Sequence, residues 1–270
     1  MLFRSTTDDD GTLITFSLKG NGYAEFRAAE FDNQQAGLDL LGTDRSSTLA
    51  IALKGGDAKA SFQNAINIAG SLGKFDAKGS SFSGSISVAG PLSDFTAADL
   101  TDLDMTIAGV GPAMKFKAFD ATNLRLTTAT PIASMDLNSW QWLTDPSNQI
   151  LTENQLSTLN APWLGKLTTK GDFSAITSIT GVGAPASAVS GVKIGGAFSG
   201  QFSVVGGISA FAATSIDSGM VLSSGTIGSF TTANATDASA WARSILKLED
   251  RKSTRLNSSH SSVSRMPSSA

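Results

Sequence analysis

Along most of the chain, large apolar residues return at every second position within short runs. Phe82-Ser-Gly-Ser-Ile86-Ser-Val88, Leu103-Asp-Met105-Thr-Ile107 and Phe198-Ser-Gly-Gln-Phe202-Ser-Val204 show the pattern. This is the period of a strand with one buried face. The outward positions carry Ser, Thr, Asp and Lys, and Gly, Ser or Pro separates the runs. Through most of the chain there is no helical spacing, so the pattern predicts an all-β protein.

A second signature recurs at longer range, an aliphatic residue followed three positions later by another large apolar one. It occurs at Leu72/Phe75, Leu92/Phe95, Ile132/Met135, Leu164/Leu167, Val189/Val192, Ile208/Phe211 and Ile227/Phe230, with a weaker copy at Ala113/Phe116. The starting positions step by 20, 21, 19, 32, 25, 19 and 19 residues. One such unit, two or three short strands joined by turns, cannot bury its own apolar face. Stacked on copies of itself at about 4.8 Å, it can. The expected fold is a parallel β-solenoid, or β-helix, with rungs of about 19–21 residues. Gly, Ser and Ala suit its tight corners. An evenly spaced antiparallel sandwich is the competing arrangement. Hairpin signals are scarce, with Asn21-Gly22 the main exception, and this favours the solenoid.

Two breaks in the register mark insertions, one helical or loop-like at 143–161 and a smaller one at Val182–Ala188. Residues 1–70 are expected to form N-terminal rungs or a cap, followed by the solenoid proper over 71–249. Within the first part, Leu13–Gly20 echoes Leu49–Gly55, and both read as strands ending in a Lys-Gly turn.

Composition narrows the chemistry. The chain of 270 residues has no cysteine and one histidine, with 20 basic and 23 acidic residues. This removes disulfides, thiolate nucleophiles and thiolate metal sites. An acidic balance argues against a nucleic-acid partner. No apolar run approaches the 18 or so residues of a membrane span, and the first residues lack the form of a signal peptide.

The last segment changes character. Asp250-Arg-Lys-Ser-Thr-Arg-Leu-Asn-Ser-Ser-His260 and Ser264–Ala270 resemble the translation of a short-read sequencing adapter. On that resemblance 250–270 is a non-native, disordered tail, which amplification of the locus from source DNA would test. The tail holds the single histidine, four basic residues and one acidic residue, so the rest carries a formal charge of −6. Without histidine there is no Ser-His pairing.

Asp10-Gly-Thr-Leu-Ile-Thr-Phe-Ser-Leu-Lys-Gly20, Ser47–Asp57, Ala161–Asp172 and the Ile-Gly-Ser-Phe of 227–230 resemble bacterial β-strand repeat proteins, the planctomycete type related in architecture to filamentous-haemagglutinin-type adhesins. The resemblance covers most of residues 10–240. It implies a solenoid in a large secreted or surface-exposed protein, and it supplies no catalytic residues.

The candidate sites are therefore few. Asp99, Asp102 and Asp104, with Asp94 nearby, form the densest acidic cluster; neighbouring rungs can bring such carboxylates together around Ca²⁺. With Lys115, Lys117 or Arg125 they would suit a polysaccharide lyase. On an alternating strand, the same acids equally make an ordinary solvated face. Trp140 and Trp142, beside the insertion, are either platforms for sugar rings or packing residues. The expectation is a non-enzymatic structural or adhesive segment without a cofactor, its partners glycans or cell-surface molecules. A carbohydrate-active or carbohydrate-binding β-helix is the alternative. A truncated solenoid also exposes strand edges through which copies can associate.

Overall fold

The computed structural model describes residues 2–7, 10–27, 37–63, 65–142, 156–236, 238–250 and 256–260. Every regular element among them is a strand, and with no helix there is none long and apolar enough to cross a membrane. The strands form two sheets, of 13 and 15 strands. Across the first sheet, Leu72–Ala77, Leu92–Ala97, Met114–Lys117, Ile132–Leu137, Leu164–Thr169, Val189–Phe198, Ile208–Asp217 and Thr226–Thr236 follow one another in parallel. Parallel neighbours about 20 residues apart mean that the chain coils. The fold is a parallel β-solenoid of eight such turns.

Each turn has three walls. In the turn that begins at Met114 they are Met114–Lys117, Asp120–Thr122 and Arg125–Thr128. In the turn before it, one strand, Leu100–Ile107, bends through the second and third walls and pairs with both.

Every wall sends mainly apolar side chains inward in columns, and each wall has a principal one. On the first wall, Leu49, Phe75, Phe95, Phe116, Met135, Leu167, Val192, Phe211 and Phe230 are in register, all buried. The second wall adds Phe82, Leu100, Ala121, Trp140, Phe173, Phe198, Ile216 and Ala235. The third adds Ile66, Ile86, Met105, Leu126, Leu159, Thr177, Phe202 and Val221. Like residues stack on like: the Phe95 and Phe116 rings lie 4.8 Å apart at 17°, and Phe211 and Phe230 lie 5.2 Å apart at 8°. Burial of this apolar area is the main stabilising term. The weak copy of the repeat is corrected here. Met114, not Ala113, occupies the buried place of Ile132, and the pairing shifts by one residue between Met114 and Lys115.

Corners are closed by backbone and by threonine. Thr128, Thr169 and Thr232 occupy inward places next to corners, and each donates its hydroxyl to the carbonyl two residues ahead, at 2.7, 3.0 and 2.7 Å. A buried hydroxyl is satisfied in this way without leaving the rung. At the corner between the third wall and the next turn the backbones nearly touch. A Cβ on Gly109 would lie 2.1 Å from the Gly90 carbonyl carbon, so only glycine fits there.

The N-terminal part is a cap of reversed direction. Leu13–Lys19 runs antiparallel to Thr48–Lys54 with Leu18 opposite Leu49, so the two echoing segments are each other's partners. Leu2–Thr7 adds a further antiparallel strand, and Tyr23–Arg27 pairs antiparallel with Gly37–Leu41 in the other sheet. Asn21-Gly22 is not a hairpin turn: it carries the chain around a corner from one sheet to the other. Phe16 and Phe26, with ring centres 5.2 Å apart, close the core at this end, and the Arg4 guanidinium covers Phe26 at 4.6 Å. Such a contact puts a charge over an otherwise open apolar end.

Of the larger insertion, residues 143–155 lie outside the described residues. Its C-terminal boundary moves inward from 161, because Thr158–Ala161 is the third wall of its turn and pairs with Arg125–Thr128. Removing those 13 positions from the 32-residue step leaves 19, the ordinary rung. The smaller insertion is a turn at Gly181–Ala184, with an exposed Val182 and positive φ at Gly181 and Gly183. Within 250–270, Leu256–His260 forms a strand parallel to Ala238–Ala242.

Candidate functional site

Because each turn repeats the one below, an outward residue belongs to a column, and each wall has its own chemistry. On the first wall one column reads Lys74, Asp94, Lys115, Ser134, Lys166, and its neighbour contains Asp76, Thr96, Lys117, Asp136, Thr168, Lys193. On the second wall Asp99, Asp120, Ser139 and Asp172 stand at successive turns, beside Thr101, Thr122 and Gln141. On the third wall one column runs from Asp39 through Asn67, Ser87, Thr106, Thr127, Asn160, Ser178 and Ser203 to Leu222, and its seven middle places are uncharged, polar and wholly or partly exposed.

The acidic cluster is dispersed by this geometry. Asp94 faces outward from the first wall, Asp99 from the second, and Asp104 from the third. Asp102 stands at the corner between the second and third walls with φ 50°, stacked on Asn123 with φ 52° in the next turn. Short polar residues tolerate this left-handed conformation best after glycine. Asn123 donates its amide to the Asp102 carboxylate at 2.8 Å. Asp104 takes both arms of the Arg125 guanidinium from the next turn. The hydrogen bonds to Asp104 raise the Arg125 pKa, against a smaller opposing effect of burial. Asp102 and Asp104 thus join one turn to the next. Among the described residues no group of three or more His, Cys, Asp or Glu side chains has the arrangement of a metal site.

Trp140 is a correction. It lies on the inward column of the second wall, fully buried between Ala121 and Phe173, so no sugar ring reaches it. Its alternate-position partners, Ser139 and Gln141, face outward instead. Trp142 is half-buried, and its backbone N–H donates to the Ser174 hydroxyl at 3.1 Å.

Two other polar centres escaped the sequence pattern. At the second wall the Asp120 carboxylate accepts from Asn138 at 2.9 Å and Ser139 at 2.6 Å, both in the following turn. In the cap, Asp44 accepts hydrogen bonds from Ser46 and from the Asn21 amide, which lower its pKa to about 2. Both join segments 18 to 23 residues apart, and no short motif announces such a pairing. Compared with family models, with curated proteins and with solved structures, the chain has no significant match.

Proposed function

We propose that this chain is a non-enzymatic structural or adhesive segment of a larger surface or secreted protein, a stiff rod that displays polar columns to glycans. The observation that carries the reading is the third wall. From Asn67 to Ser203, seven consecutive places in one outward column are Asn, Ser or Thr. Amides and hydroxyls both donate and accept, which suits the hydroxyls of a saccharide surface. A backbone held on both sides by neighbouring turns fixes these groups before binding, so little ordering cost remains. The acids that would have served a lyase are divided among three walls, and two of them are engaged between turns.

The test is co-pelleting of the full chain with cellulose and chitin, together with a lyase assay on polygalacturonate with Ca²⁺. Retention on one of the solid glycans without release of unsaturated product is expected. Replacing two column members, Thr106→Lys with Thr127→Lys, is expected to weaken retention about tenfold, as loss of two or so net hydrogen bonds would. Sustained turnover of polygalacturonate, or retention indifferent to the double substitution, would overturn the proposal.

A further inference from the structure

The first two walls differ in charge, and the difference follows the turns. Lys115, Lys117, Lys166 and Lys193 all point outward from the first wall and are exposed. None of them forms an ion pair among the described residues, whereas Lys74 is held by Asp76 at 2.7 Å. The second wall carries Asp99, Asp120, Asp172 and Asp217, with no basic residue in their columns; Lys78 and Lys170 stand at the corner before it.

We propose that the lysine wall of one copy packs laterally against the aspartate wall of a second copy, side by side and in the same direction. The two walls belong to one coil, so their charges share one axial repeat of about 4.8 Å. Aligned turn for turn, Lys115 and Lys117 meet Asp120, and Lys166 meets Asp172. Asp136 meets the neutral Ser139, and Asp94 meets Asp99, the one like-charge contact of this alignment. An external polymer has no reason to match this pitch, but a second copy matches it by construction. Eight turns at about 4.8 Å, and three residues of strand across on the narrower second wall, give a strip of roughly 380 Å². That is about half of the 800 Å² or so per partner of an ordinary specific interface, the size of a weak contact that salt can dissolve. The contact uses two different walls, so it does not close on itself, and rods add into open bundles. The surface is separate from the third-wall column, and its failure would leave glycan display untouched.

Sedimentation velocity of the full chain tests this. Species larger than the monomer are expected at about 20 mM salt and the monomer at about 500 mM, where screening is within a few ångströms. Lys115→Glu with Lys166→Glu is expected to remain monomeric at low salt, as is Asp120→Lys with Asp172→Lys, and an equimolar mixture of the two is expected to associate again. Circular dichroism melting checks that the aspartate variant folds. Asp99→Lys with Asp217→Lys reverses aspartates that face Asp94 and Ala212 rather than lysines in this alignment, and is expected to keep the low-salt association. A wild-type monomer at low salt overturns the proposal. So does association indifferent to salt and to lysine reversal, which would place the contact at the strand edges, or a mixture that stays monomeric.

Discussion

A residue in this coil is defined by its column. Thr177 shows the consequence for a polar group. It occupies an inward place between Leu159 and Phe202, and its hydroxyl has no hydrogen-bond partner. A buried hydroxyl without a partner keeps its full desolvation cost. Thr177→Val preserves the shape and removes that cost, so a gain of about 1 kcal/mol and of roughly 2–4 °C in Tm is expected. Thermal melting checks it, and a lower Tm would mean that the hydroxyl is bonded. Asp104 is the opposite case, a charged residue that the coil does use. Its pair with Arg125 is half-exposed, and exposed ion pairs contribute little to stability. Its effect is to hold register between turns. The alternation around Asp99, Asp102 and Asp104 identified outward positions correctly, but it could not assign each acid to a wall. That depends on where the chain bends, and the bend at Asp102 is a single left-handed residue.

At the scale of the element, strands here are short and none is self-sufficient. Met114–Lys117 has four residues, and only the turns on either side bury it. The ring of Phe95 sits between Phe75 and Phe116, so truncating it leaves a cavity that two turns share. Phe95→Ala is expected to cost about 3–5 kcal/mol, whereas Phe119→Ala, at a corner and 58% exposed, is expected to cost under about 0.5 kcal/mol. Chemical denaturation of both variants checks the contrast; equal losses would contradict the assignment of inward columns. The spacing of Leu72, Phe75 and their copies made the first wall legible, because side chains three apart flanking two outward residues recur at one place in every turn. Trp140 was harder to place. Trp, Ser and Gln alternate in so short a strand that its inward side is settled only by the stack above and below.

For the whole molecule, the repeat length revealed the solenoid, since about 20 residues suffice for one circuit of three short walls. The reversed cap was not legible. Leu13–Gly20 and Leu49–Gly55 look alike, and likeness does not tell a parallel neighbour from an antiparallel one. Direction is set by the corner at Gly20–Gly22, where φ is near +90°, and by the return through Gly37–Leu41. The central physical claim is that each turn advances one strand spacing and carries every column with it. The chain has no cysteine, so labels can be placed at will. The most direct measurement is pulsed electron-spin distance determination between a nitroxide at Ser87 and a second at Asn160, Ser178 or Ser203. These places lie three, four and five turns along one column. Mean distances are expected to grow by about 5 Å at each step, reaching about 24 Å at Ser203. Distances that fail to increase in that order, as in a sandwich of antiparallel strands, would contradict the stacked coil and the display columns built on it.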